Sequence, residues 1–346
     1  MTFSCRLFSF SIFSFVAVLS CADDPRKESY QWIDADKLFR GSSKWAGADS
    51  AYSVPLKDDR ILWLFGDTFT SQDRSTMVHN SVGIQQGKDP SSSSIEFYQN
   101  FFPGDKDSGT YFWPGAGIFY ENSLAVFRTH VISTEGEGLG FDVIDWSLVL
   151  FENTSGHPAT WKRKIVPSSI PFKGMMLGTA LAMDKDHVFS LAYKHPCGYV
   201  LRWKIQDFFG GNIENAEWWD SIIGWVSQRD LREIPSPIEA AAGPEASLHY
   251  EAAKRKWMIV RSMGFGDSRI GAWYADSVEG PWSNPEIIFN PSEGNIDGVL
   301  VYSAKSHPEI SSKDFLTVTY STNTLDFTRL VKDSSLYYPR FIRITR

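Results

Sequence analysis

Three acidic residues stand where the chain could use them for chemistry. Asp49 lies in Trp45-Ala46-Gly47-Ala48-Asp49-Ser50-Ala51-Tyr52, Asp67 in Leu62-Trp63-Leu64-Phe65-Gly66-Asp67-Thr68, and Glu245 in Gly243-Pro244-Glu245-Ala246-Ser247. Small residues beside each acid leave room for another molecule to reach the carboxyl group. Two carboxyl groups across one bond are what glycoside hydrolysis needs. One gives a proton to the leaving oxygen, and the other attacks the sugar or activates water. The donor must hold its proton near neutral pH, which burial or a nearby negative charge achieves. Asp49, at the start of a strand, is the candidate base or nucleophile. Glu245 opens a later strand and is the candidate acid, with Asp67 as second carboxylate. Each also has a structural reading, since an aspartate caps turns and strand ends well.

Further residues suit substrate contact. Asn80 can bond two hydroxyls, and the rings of Trp113 and Tyr320 can stack on sugar faces, although packing explains rings equally well. His307 could bond a sugar hydroxyl, tune a carboxylate or meet a central cation. Its plain alternative is a satisfied structural histidine. Arg261 lies among apolar strand residues, where a guanidinium needs a partner, so it is a candidate for orienting an active-site acid. Other chemistries lack their motifs: there is no Walker loop, dinucleotide fingerprint or Gly-x-Ser-x-Gly elbow. No CxxC or His/Cys cluster suggests a structural zinc; a calcium site stays open although no EF-hand loop occurs, and no cofactor is expected.

The elements that must position these residues read as strands. Short apolar runs alternate with Gly, Pro, Asn and Asp, and no long 3.6-residue period is present. The helical suggestions, Asn215 to Trp225 and Glu239 to Ala242, are short. Aromatic residues make up 15% of the chain, including 13 Trp, which suits sheet-to-sheet packing. Strand groups recur at even spacing. They begin with Ala51 to Leu56 and Arg60 to Phe65, Gly115 to Tyr120 and Ser123 to Arg128, and Leu177 to Met183 and His187 to Tyr193. Ala246 to Glu251 with Lys256 to Ser262, and Leu300 to Ser306 with Asp314 to Tyr320, complete the series. Each opens on a small-residue-rich strand, as a crowded central axis requires. The pattern predicts an all-β, five-bladed β-propeller over residues 41–346, with a long-looped β-sandwich as the alternative. Phe341 to Ile344 could return to an earlier blade, and residues 22–40 read as a linker and lead-in segment.

Residues 1–21 have the length and apolar run of a signal peptide. The run ends in Val18-Leu19-Ser20-Cys21, so Cys21 is a candidate for lipidation in the manner of bacterial lipoproteins, against plain signal cleavage. A secreted or cell-envelope protein is expected, touching membrane only through such an anchor. Of three cysteines, Cys5, Cys21 and Cys197, lipidation of Cys21 would leave Cys197 alone. The net charge of −7 without a basic run argues against nucleic acid. The expected partner is a polysaccharide or oligosaccharide, bound by a monomer.

The opening motif through Thr68, followed by Asn80-Ser81-Val82-Gly83, resembles the DUF4185 family. Gly280-Pro281-Trp282-Ser283, His307-Pro308-Glu309 and Ser321-Thr322-Asn323 are similar to segments of that family and its relatives. The resemblance spans about residues 40–325. It implies a five-bladed propeller related to arabinanase-type glycoside hydrolases, and hence a furanose-containing polysaccharide as substrate. The chain departs from the pattern by carrying Ala48 and Ser50 beside Asp49, and no carboxylate in the inner strands of its second and third units. A non-catalytic carbohydrate-binding or surface-interaction propeller is the alternative, because one fold hosts many functions.

Overall fold

Short runs of largely apolar residues, buried on both faces in the central strands and separated by polar turns, produce five antiparallel sheets of four or five strands in chain order, beside a two-stranded sheet of Thr68–Phe69 and Met77–Val78. The computed structural model describes residues 29–105, 107–135, 140–169 and 172–346. The expected signal segment and Cys21 lie outside the described residues. Blade 1 comprises Tyr52–Pro55, Arg60–Phe65, Ser81–Gln86 and Ser94–Gln99. Blade 2 comprises Thr110–Tyr120, Ser123–Ser133, Phe141–Glu152 and Lys162–Pro167. Blade 3 runs through Met176–Met183, His187–Lys194 and Cys197–Lys204 to the hairpin Glu217–Asp220 and Gly224–Ser227. Blade 4 is Ser247–Glu251, Lys256–Gly264, Asp267–Ala275 and Glu286–Phe289. Blade 5 is Leu300–Ser306, Phe315–Asn323, Arg340–Thr345 and Ser29–Gln31.

Successive first strands pack side by side around an axis. Blade 5 meets blade 1 where Lys305 Nζ donates to the Ser50 carbonyl and Ser53 Oγ bonds His307 Nδ1, both at 2.5 Å. The molecule is therefore a five-bladed β-propeller. Local chemistry makes the hairpins. Asp58 and Asp59 take φ of 58° and 54°, as a tight two-residue turn between twisted strands demands. Asp184 Oδ1 accepts from the backbone N–H groups of Asp186 and His187, at 2.8 and 2.7 Å, and turns the blade 3 hairpin.

The ends of the chain differ from expectation. Arg340–Thr345 does not return to an earlier blade. It pairs with Phe315–Asn323 in the last blade, and the N-terminal strand Ser29–Gln31 crosses over to finish that sheet. Residues 29–40 are thus part of the fold and not a linker. Helix Ile33–Arg40 follows, with Ala35, Leu38 and Phe39 buried at helical spacing. Phe39 meets Trp63 edge-on at 5.0 Å and stacks on Phe341 at 5.2 Å. The helix expected over Asn215 to Trp225 is instead the outer hairpin of blade 3. Trp218 turns inward there, while Trp219 and Trp225 pair at 5.5 Å. At Glu239–Ala241 there is a single 3-10 turn.

Tyr320 belongs to this closure. Its hydroxyl donates to Glu293 Oε2 at 3.0 Å and accepts from Gln31 Nε2 at 2.8 Å, so it ties the crossing strand to the sheet. Removing that hydroxyl leaves Glu293 and Gln31 short of a buried partner, which costs about 1–3 kcal/mol. Tyr320→Phe is expected to lower the thermal midpoint. An unchanged midpoint would show that the closure does not need this bond.

Candidate active site

The five inner strands begin at the same end of the axis. There a cavity of about 500 Å³ is lined by Asp49, Asp67 and Glu245 together, with Trp113, Tyr302 and Tyr337. Asp49 reaches it through a left-handed turn. Ser50 and Ala51 take φ of 68° and 49°, and the Asp49 carbonyl accepts from the N–H groups of Ala51 (2.9 Å) and Gly66 (3.3 Å). Non-glycine residues in this conformation cost on the order of 1–3 kcal/mol each, and persist where surroundings impose them. Gly66 has no side chain to spare: a Cβ there would overlap Asp49 Oδ1. Asp49 Oδ2 accepts from Tyr302 Oη at 2.8 Å and Tyr337 Oη at 3.2 Å. Burial pushes the Asp49 carboxyl up to about 8, with the charges of Glu245 and Asp67 adding to the shift and the tyrosines opposing it. Asp49 therefore holds a proton at neutral pH.

Glu245 has a different neighbour. Its Oε1 lies 3.2 Å from Lys305 Nζ. Lys305 also donates to Ser303 Oγ at 2.7 Å, and its ammonium stands 4.3 Å from the centre of the Tyr52 ring. Burial lowers the Lys305 amine from its usual range, and Glu245 and Asp49 act to hold its proton. Lys305 reaches the hub because its strand is bulged. Register shifts between Tyr302 and Lys305, and Ser303 takes φ of 61°. A bulge breaks the two-residue alternation and re-aims side chains, so Tyr302 and Lys305 both serve the site. The protonated carboxyl is Asp49, and the carboxyl beside a cation is Glu245.

Asp67 Oδ1 accepts from Trp113 Nε1 and bonds His79 Nδ1, each at 3.0 Å. Trp113 is held edge-on by Phe141 at 4.6 Å, and His79 stacks on Tyr111 at 3.7 Å. Thr179, on the cavity wall, has a buried hydroxyl with no partner among the described residues. It follows Gly178, which takes φ of 70° at a second bulge and presses on Phe127, where a Cβ would overlap the ring. Among the described residues, no group of three or more His, Cys, Asp or Glu side chains could hold a metal ion.

Other candidates lie elsewhere. Asn80 is buried and clamps backbone: its Nδ2 donates to the carbonyls of Phe102 and Phe112 at 2.8 and 2.9 Å, and its Oδ1 accepts from Phe102 N–H at 2.8 Å. Arg261 bonds the carbonyls of Ala240, Glu239, Ser262 and Met263 and lies over Trp273 at 4.2 Å; it orients no carboxylate of the cavity. Tyr320 is in the closure, and His307 sits at the opposite end of the axis. Sequence reasoning missed Tyr302, Tyr337, Lys305, His79 and Thr179. Lys305 alone carried a readable signal, as a charge inside an otherwise small and apolar inner strand.

The chain belongs to the DUF5005 family, described as a domain of unknown function, which it matches over residues 33–346. The family is thus DUF5005, in place of the DUF4185 family that the opening motif resembles. No curated protein matches the sequence. A Bacteroides ovatus ATCC 8483 protein provisionally described as a hydrolase shares the fold at TM-score 0.70 and 17% identity, over 92% of this chain and 90% of the other. The exo-β-1,3-galactanase of Phanerochaete chrysosporium aligns at TM-score 0.51 and 10% identity, over 86% of this chain. This chain spans 60% of the galactanase's length. At these identities the likeness establishes the propeller fold that such glycosidases share.

Asp49 makes stability depend on pH with a definite sign. Its folded value of about 8 lies above the ordinary 3.8, so between them the native state keeps a proton that the unfolded chain releases. The contribution is full below about pH 4 and is lost as pH rises through about 8. Asp49→Asn removes this dependence. Its thermal midpoint is expected to gain on the wild type between pH 4.5 and 8; a constant difference across that range would contradict the burial of a protonated Asp49.

Proposed function

We propose that the chain is a glycoside hydrolase acting on a neutral saccharide, with arabinan-type furanose polymers as the first substrate class to test. The carrying observation is the pair Asp49 and Glu245 in one cavity, one holding its proton and the other facing an ammonium. In this reading Asp49 donates to the leaving glycosidic oxygen, and Glu245 attacks the sugar or activates water. Tyr302 and Tyr337 steady the Asp49 anion that remains after transfer. Asp67, fixed by His79 and Trp113, raises the proton affinity of Asp49 and offers its second oxygen to a sugar hydroxyl. The exposed Phe265 and Leu325 at the rim suit the apolar faces of further sugar units. The galactanase of like fold was crystallised with β-1,3-galactotriose, which supports a saccharide as ligand.

Incubation with arabinans, galactans and xylans tests the reading. Release of oligosaccharide by the wild type is expected, with at least a ~100-fold loss in Asp49→Asn and in Glu245→Gln, the lower end of what acid–base groups contribute. The rate is expected to fall as pH rises through about 8, because the donor then loses its proton. Binding of these polymers without any product would overturn the hydrolase reading in favour of a carbohydrate-binding propeller.

A further inference from the structure

A second cavity, of about 510 Å³, opens at the other end of the axis, where the inner strands finish. Its size is that of a small-molecule site. The floor is a web of side chains and not a plain apolar plug. Ser53 Oγ bonds His307 Nδ1 at 2.5 Å and donates to Glu309 Oε1. His307 Nε2 is taken by Thr319 Oγ1 at 2.7 Å. Across the floor, Ser306 Oγ bonds Ser247 Oγ at 2.7 Å and His249 Nδ1 at 3.1 Å. At the rim stand Tyr250, half exposed, and Trp257, their rings edge-to-face at 5.9 Å.

The chemistry narrows the ligand. Each serine hydroxyl has two acceptor sites and one donor, so bonds to the neighbouring side chains leave capacity toward the cavity. The floor carries little net charge. Burial and the nearby Lys305 push His307 down to about 3, so it is neutral, and burial pushes Glu309 up to about 7. The Lys305 ammonium at the boundary between the two cavities is committed to Glu245 and Ser50. An anion would meet no free cation here. Nor is the serine a poised nucleophile: the carboxyl touches its hydroxyl, while the far imidazole nitrogen that a catalytic triad would give to an acid is held by Thr319. A neutral, hydroxyl-rich molecule with one apolar face satisfies both floor and rim.

We propose that this second cavity is a separate saccharide-binding site, in which Ser53, Glu309 and Ser247 bond the hydroxyls of a sugar unit and Tyr250 with Trp257 covers its face. The site lies on the axis opposite the three carboxylates and does not depend on the hydrolase reading.

Calorimetric titration of the full chain with arabinose, galactose, xylose and their disaccharides provides the test. Three proteins are compared: wild type, Trp113→Ala for the first cavity, and Tyr250→Ala for the second. Tyr250 is 51% exposed, so its removal leaves the core in place; thermal midpoints verify this. A binding event is expected that survives Trp113→Ala and weakens about tenfold or more in Tyr250→Ala, a tenfold change being 1.4 kcal/mol. The proposal is overturned if none of these sugars binds, if all binding vanishes in Trp113→Ala, or if Tyr250→Ala binds as the wild type does. The readout is binding alone, so a chain without hydrolase activity would leave the proposal standing.

Discussion

A buried ammonium at the hub holds the arrangement together. Lys305 leaves blade 5, bonds the Ser50 carbonyl of blade 1 and approaches the Glu245 carboxylate that opens blade 4. Burying a charge costs several kcal/mol unless it is paired and fully bonded. Here a carbonyl, the Ser303 hydroxyl, a carboxylate and the face of Tyr52 share that compensation. The same contacts join first and last blades beside the site, so closure of the ring and placement of the acids are one constraint. Removing either partner would strand the other, which is why the cation and the carboxylate must be considered together.

Around that hub, the backbone departs from regular strands where the chemistry needs it. Ser50, Ala51 and Ser303 adopt left-handed conformations without being glycine. The first two turn Asp49 into the cavity, and the third lets Tyr302 line it while Lys305 reaches Glu245 from behind. Arg74 braces the loop that delivers Tyr337. Its guanidinium donates to the carbonyls of Ala46, Leu330, Asp333 and Leu336. The Tyr337 bond to Asp49 therefore depends on two segments far apart in sequence, one before each residue, pinned together by one buried side chain.

Much of the fold was legible because its signals are local. Short apolar or small-residue runs bounded by polar turns marked Arg60–Phe65 and Leu300–Ser306 to the residue. The three acids that line one cavity stand beside strand ends: Asp49 and Glu245 shortly before inner strands, and Asp67 just after the apolar strand Arg60–Phe65. What was not legible depends on distant pairing. Ser29–Gln31 is a strand only because Arg340–Thr345 is there to receive it. Tyr302 and Lys305 share the site only because a bulge shifts the register, and no residue type announces that shift. Asn80 and Tyr320 were read as substrate contacts because an amide or phenol that binds backbone or a buried acid is the same letter as one that binds sugar. The roles of base for Asp49 and acid for Glu245 were assigned from strand position alone; the burial that raises the Asp49 carboxyl and the placing of the Lys305 side chain beside Glu245 carry no mark in the local sequence.

The protonation of Asp49 at neutral pH is the central claim, and infrared spectroscopy reads it directly. The chain labelled with ¹³C-carboxyl aspartate would be compared with the equally labelled Asp49→Asn variant between pH 5 and pH 10. Beyond the signal of Asp36, which burial raises to about 6 in both proteins, an extra protonated-carboxyl band is expected in the wild type, present at pH 6 and lost as pH rises through about 8. Absence of that band at pH 6 would mean that Asp49 is already an anion, and the account of the hub would be contradicted.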